Sequence, residues 1–252
     1  MRQFLIYICV LLMTGGVWAQ DASQSQLELG NQKYVEGRYD DAIKHYEQVL
    51  SGGYTSASLE YNLGNAYYKA GQYPRAILHY ERALKIDPKL EDAGYNLELA
   101  NEHTVDRIEP LPQVFFQGWI KDTTYIFSAD GWARLTALCM WLACLVLAFY
   151  IWLRGRRKTA PLFYGLVLMV CVGVLSFIMA SRQNNEQING RGAIIMQTSV
   201  TAKSEPTESG KMLFELHEGT KCNIISRNND WLNIRLANGN EGWLPADALE
   251  II

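Results

Sequence analysis

The soluble stretches of this 252-residue chain lack a cysteine pair. Cys9 lies in an N-terminal apolar run, Cys139, Cys144 and Cys171 lie in two later ones, and Cys222 stands by itself. A disulfide framework within one soluble domain is excluded, and no CxxC spacing offers a metal or redox site. The cysteines read as small apolar residues. There is no HExxH, no phosphate-cradling glycine loop after a strand, no G-x-S-x-G elbow and no Cys/His pair of nucleophile and base. Asp40-Asp41 and Glu91-Asp92 are neighbouring acids at expected helix starts, where negative charge suits the helix dipole, so they read as structural. A net charge of -3 supplies no basic field for nucleic acid. The expectation is a chain that is not an enzyme, with no catalytic residues, no cofactor and no metal.

What is present begins with two charge-free runs, Leu135 to Leu153 and Leu162 to Ala180, each of nineteen residues. As helices they reach about 28 Å, close to the hydrocarbon thickness of a bilayer. Between them stand Arg154, Arg156, Arg157 and Lys158 without an acid. Short basic loops stay in the cytoplasm. The pattern predicts a membrane hairpin with spans at 132–153 and 162–180, a cytoplasmic loop at 154–161, and both flanking regions on the opposite side. Trp132 and Trp152 suit the interfacial aromatic belt, and Gly165 and Gly173 share a helix face on which the spans can approach. At the start, Arg2, the apolar run Phe4 to Met13 and Val17-Trp18-Ala19 read as a signal peptide, residues 1–19, cleaved after Ala19. Kept as an uncleaved anchor, it would leave the topology the same.

Residues 26–103 carry a period of 34, within a repeat domain expected at 20–103. Leu29-Gly30-Asn31 matches Leu63-Gly64-Asn65, Gly37 matches Gly71, Ala42 matches Ala76, and Tyr46 matches Tyr80, while Tyr95-Asn96-Leu97 starts a third unit. This resembles the tetratricopeptide repeat family: units at about 23–56 and 57–90, with a closing helix at 91–103, forming an all-α solenoid. Small residues at 30, 42, 64 and 76 let helices approach, Gly37 and Gly71 make the turns, and Pro88 ends the second unit. The resemblance implies a concave face that binds a partner's extended segment or helix, here presenting Asn31, Tyr34, Tyr61, Asn62, Asn65, Tyr68, Lys69, Tyr95 and Asn96. Leu27, Glu28 and the single Lys69 do not rebuild the family's clamp for C-terminal carboxylates. His45 and His79, also 34 apart, read as solvated positions inherited with the repeat.

Residues 104–131 lose the period. Pro110 and Pro112 break the chain, and Val114 to Ile120 form an aromatic cluster that either lies among lipid headgroups or packs under the repeats. A polar linker is expected at 181–192. From 193 to 252, short runs at Ala193–Met196, Val200–Ala202, Lys211–Leu216, Lys221–Ser226, Trp231–Leu236 and Gly242–Leu244 read as strands, with turns at Asn228-Asn229-Asp230 and Asn238-Gly239. Val200 to Pro206, Glu218-Gly219-Thr220, Asp230 to Ile234 and Gly239 to Leu244 together resemble a bacterial SH3-like domain. That resemblance implies a small all-β barrel and a ligand face at Glu205, Glu208, Trp231 and Trp243.

The order of leader, repeats, aromatic connector, two spans and SH3-like domain resembles the BatE family of the bacterial aerotolerance operon. The resemblance implies a non-catalytic scaffold in the inner membrane with both soluble parts in the periplasm. Its implied partners are membrane proteins with von Willebrand A domains and other Bat proteins, served by a MoxR-type ATPase in the cytoplasm. The alternative is a cell-wall protein whose SH3-like domain reads peptidoglycan.

Overall fold

Gly37 and Gly71 both hold φ at +76°, a left-handed value that glycine adopts without steric cost. Each turns the chain between two helices: α1 (24–35) and α2 (Tyr39–Ser51), then α3 (Ala57–Lys69) and α4 (Tyr73–Ile86). The structure, a computed structural model, describes residues 24–111, 123–124, 126–153, 160–189 and 191–252. Local chemistry sets the helix ends. The Ser56 hydroxyl accepts the Leu59 N–H at 3.2 Å and caps α3. Pro74 sits in the first turn of α4, where its missing N–H has no partner to lose. Asp87 and Pro88 stop α4, and α5 (Glu91–Asn101) follows.

The apolar faces of α2, α3 and α4 meet in one core around Tyr46, Val49, Leu59, Leu63, Ile77 and Tyr80. Ile194, distant in sequence, is fully buried in that same core, with Met196 and Ile252 packed at its margin. These residues belong to the C-terminal module, which therefore closes the end of the helical stack. Burying one isoleucine side chain stabilises by about 1.5–3 kcal/mol.

That module has seven strands: β1 (Gly192–Ile195), β2 (Ser199–Lys203), β3 (Met212–His217), β4 (Lys221–Asn228), β5 (Trp231–Arg235), β6 (Glu241–Pro245) and β7 (Leu249–Ile251). They pair antiparallel in the order β3-β2-β6-β5-β4-β1-β7. The six expected strands are present within a few residues, and β7 was not foreseen. The sheet is open, with β3 and β7 as its edges, so hydrogen bonding does not close the expected barrel. Alternation decides the faces: Val200, Ala202, Leu232, Ile234 and Leu244 point into a second core, and the residues between them point away. Asn229 takes φ 51° in the β4–β5 turn and Gly239 takes φ +88° in the β5–β6 turn.

The repeats and this module, expected as separate domains, form one compact unit, residues 24–111 with 191–252; the described residues between them form a second. Within the first unit, residues 104–111 run as a strap along the sheet module. Thr104 packs where a Cβ on Gly219 would stand, Ile108 packs on the sheet core, and the Leu111 N–H donates to the Ala237 carbonyl at 3.1 Å. The connector expected at 104–131 thus begins as part of the soluble body. Polar contacts add to the junction: Arg82 donates to the Ile251 carbonyl at 2.6 Å, and Lys221 forms an ion pair with Glu81 at 2.6 Å.

The second unit contains α6 (Ala129–Trp152) and α7 (Ala160–Asn189), two helices long and apolar enough to cross a membrane. They pack along a stripe that includes Trp132, Cys139 and Ala143, while Trp141, Leu145, Phe149, Leu168 and Phe177 stay exposed. A Cβ on Gly173 would lie 3.4 Å from that of Cys139, whereas one on Gly165 meets nothing among the described residues, so of the two Gly173 marks the close approach. The expected linker at 181–192 is helical through Asn189, because no glycine or proline interrupts the run after Gly173. The signal peptide, the cluster Val114 to Ile120 and the basic loop at 154–159 lie outside the described residues.

Candidate functional site

Two tyrosines of the second helices organise the face made by the first helices. The Tyr46 ring lies across Gly30, where a Cβ would stand 2.5 Å from it; the Tyr80 ring lies across Gly64, where the distance is 2.7 Å. Glycine at 30 and 64 thus makes a slot for a ring. The ring carries its hydroxyl to the next residue along the first helix. Tyr46 donates to Asn31 Oδ1 at 2.8 Å, and Tyr80 donates to Asn65 Oδ1 at 2.8 Å.

The same oxygens also bind the following unit. Asn62 Nδ2 donates to Asn31 Oδ1 at 3.3 Å, and Asn96 Nδ2 donates to Asn65 Oδ1 at 2.8 Å and to the Tyr61 hydroxyl at 3.3 Å. Asn31, Tyr46 and Asn62 are therefore repeated, 34 residues on, as Asn65, Tyr80 and Asn96. The third unit carries Glu98 where the first two carry glycine. Among the described residues no further helix lays a ring across that position.

Two adjoining pockets line this face. One, of about 260 Å³, is bounded by Tyr34, Tyr61, Asn65, Tyr68, Lys69, Tyr80, Asn96 and Leu99. The other, of about 310 Å³, is bounded by Asn31, Tyr34, Val35, Tyr46, Asn62 and Asn65. Eight of the nine residues expected on the concave face line one or both, and Tyr95 does not, standing 65% exposed on α5. Sequence reasoning missed Tyr46 and Tyr80 as wall residues. Their signal was available in the fixed interval between each glycine and the tyrosine sixteen positions later.

No carboxylate lines either pocket, and Lys69 is the one cation that does. Burial pushes the Tyr46 hydroxyl up to about 12, with Tyr34 adding to the shift, and burial likewise raises Tyr80 and Tyr34. These phenols stay protonated and keep donating. Edge-on contacts brace the outer rings, Tyr34 against Tyr39 at 5.4 Å and Tyr68 against Tyr73 at 5.5 Å.

The expectation for His79 is corrected. It is 6% exposed, and its Nδ1 lies 2.7 Å from the carboxylate of Glu60, itself 5% exposed. His45 meets Gln26 at 2.7 Å in the equivalent place. Both histidines tie a second helix to the first helix of their own unit. A period of 34 reveals that the position recurs; the face it occupies is decided by packing.

On the sheet module, Trp231 and Trp243 point away from the core and are half-buried. Lys203 pairs opposite Trp243 in register, places Nζ 5.1 Å over the Trp231 ring, and donates to the Glu208 main-chain oxygen at 2.8 Å. The structure brings Glu208, Trp231 and Trp243 together around Lys203, a residue absent from the expected ligand face. Glu205 is exposed in the adjoining loop. Among the described residues no group of three or more His, Cys, Asp or Glu is placed to hold a metal. Burial raises the Cys222 thiol to about 12, which leaves it unreactive.

A family model described as a tetratricopeptide repeat matches residues 57–90. Among solved structures the chain is similar to YrrB, "a TPR protein with an unusual peptide-binding site", at 15% identity and a TM-score of 0.32, covering 66% of this chain and 76% of that one. It is also similar to two structures of MamA at 17% identity and a TM-score of 0.32; one covers 70% of this chain and 86% of the other, the second 68% and 77%. No curated protein matches. The α3–α4 segment, with its ring slot at Gly64 and its asparagine at 65, is a tetratricopeptide repeat.

Proposed function

We propose that the chain is a non-catalytic, membrane-anchored scaffold that holds an extended segment of a protein partner in the groove of its repeats. The observation that carries this reading is the paired asparagine–tyrosine network, which leaves amide nitrogens at Asn31 and Asn65 without partners among the described residues in a carboxylate-free groove. Aromatic walls add contact area at small entropic cost. Partner capture with the full protein in detergent tests the reading. Alanine at Asn62, Asn65 and Tyr68 should release the partner, and retention of every partner would refute it.

In this reading α6 and α7 cross the inner membrane as a hairpin, with the loop at 154–161 in the cytoplasm and both soluble parts in the periplasm. Two observations support it. Residues on both sides of the apolar helices build one compact unit, which an odd number of crossings would divide between compartments. The intervening loop is basic. Single cysteines at Ser56, Lys158 and Asn238, labelled from outside in spheroplasts, test it; labelling at Lys158 alone would invert the topology. The likeness of architecture to the BatE family makes von Willebrand A-domain membrane proteins and other Bat proteins the partners to try first.

A second reading is favoured by the outward indoles of Trp231 and Trp243, on a module with the strand spacing of an SH3-like domain. It makes the sheet module a reader of peptidoglycan. Loss of sedimentation with purified cell wall on Trp243→Ala is its expected result.

A further inference from the structure

Free hydrogen-bond donors in the groove outnumber free acceptors, the unengaged side-chain amide oxygens of its lining being those of Asn62 and Asn96. Asn31 Oδ1 accepts from Tyr46 and Asn62, and Asn65 Oδ1 accepts from Tyr80 and Asn96. With both oxygens engaged, these two amides offer the groove N–H groups. The hydroxyls of Tyr34 and Tyr68 and the Lys69 ammonium add further donors, and no carboxylate lies in the lining to receive a proton.

An ordinary extended peptide brings one N–H for every carbonyl, and an N–H buried without an acceptor is costly. A prolyl residue brings a carbonyl and no N–H. A proline-rich segment is also preformed as a polyproline II helix and docks against aromatic walls. The walls here are held open, since Tyr39 and Tyr73 brace Tyr34 and Tyr68 edge-on.

We propose that the groove takes a proline-rich partner segment in the polyproline II conformation, its rings against Tyr34, Tyr61 and Tyr68 and its carbonyls on the amides of Asn31 and Asn65. This rests on the reading of the groove as the partner site and adds the partner's chemistry. Tyr46 and Tyr80 are positioning residues that act through the asparagines. An acidic segment drawn to Lys69 is the competing occupant.

The test uses the full chain in detergent, titrated with capped octaproline and with a capped octapeptide of alternating alanine and glutamate. Octaproline should bind in preference. Tyr80→Phe keeps the ring in the Gly64 slot but loses the hydroxyl, and should weaken octaproline by about fivefold, the worth of one hydrogen bond. Preference for the acidic peptide, lost on Lys69→Gln, overturns the proline assignment and leaves the groove reading standing. Failure of both peptides also overturns it, and partner capture with the Asn62, Asn65 and Tyr68 variants then judges the groove itself. Octaproline binding that ignores Tyr80→Phe overturns the positioning role.

Discussion

The carboxylate of Asp106 accepts the main-chain N–H of His217 at 2.7 Å and lies 2.9 Å from the Nδ1 of its ring, joining positions 111 residues apart. The Thr220 hydroxyl donates to the same carboxylate at 2.7 Å. This clasp fixes the strap that leaves the repeats to the β3–β4 corner of the sheet module.

The clasp gives stability a pH dependence with two limits. Burial pushes the Asp106 carboxyl up, but hydrogen bonds from the His217 main chain, the His217 ring and Thr220 outweigh it and hold the group below the usual range. Its contribution is present above the ordinary aspartate value near about 3.9 and is lost as pH falls through the lowered one. The hydrogen bond to Asp106 raises His217 above its usual value, with the charges of Asp106 and Glu215 adding to it against burial. That contribution is present below about 6.5 and is lost as pH rises through the raised value. Thermal unfolding should therefore be most favourable to the fold between these limits. Asp106→Asn should remove the alkaline loss, and an unchanged pH profile in that variant would disprove the clasp.

Gly64→Ala should destabilise the repeats by about 1–3 kcal/mol, because the new methyl meets the Tyr80 ring within a packed core. Gly94→Ala, whose Cβ would enter open space within α5, should stabilise by about 0.5–1 kcal/mol. Denaturant titration of both variants measures the contrast, and equal effects would sink the ring-slot account.

Ile194→Ala removes a sheet residue from the repeat core and should cost about 2–4 kcal/mol. Amide exchange should quicken in α4 as well as in β1. Exchange that changes in β1 alone would mean that the module does not close the helical stack.

Gly173→Cys should form a disulfide with Cys139 on mild oxidation, in a chain otherwise without cysteine. The Cβ separation of 3.4 Å at that position sits at the edge of the range such a bond needs. Gly165→Cys, with nothing near it, should stay reduced. A mass shift on SDS gels after alkylation reports both, and cross-linking at 165 alone would reverse the packed face.

The 34-residue period, the two charge-free runs and the alternation from Val200 to Leu244 were legible in the sequence because each is a local rule: helix packing, bilayer thickness and strand pleat repeat at fixed spacing. Most of the groove followed, since residues at equal positions in a repeat share a face. Tyr95 departed from that pattern because among the described residues no later helix covers it. His79 was misplaced because spacing identifies equivalent positions and not what packs against them.

The sequence by itself determined the repeat helices, six of the seven strands and the two apolar runs, through periodicity and turn chemistry that act over a few residues. Only the tertiary structure decided that Tyr46 and Tyr80 fill glycine slots and lock the asparagine amides. The joining of repeats and sheet into one unit through Ile194, Asp106 and His217 was likewise invisible in the sequence. Those contacts link residues far apart in the chain, 111 positions in the Asp106–His217 pair, and their energy comes from burial and hydrogen-bond geometry that no local pattern encodes.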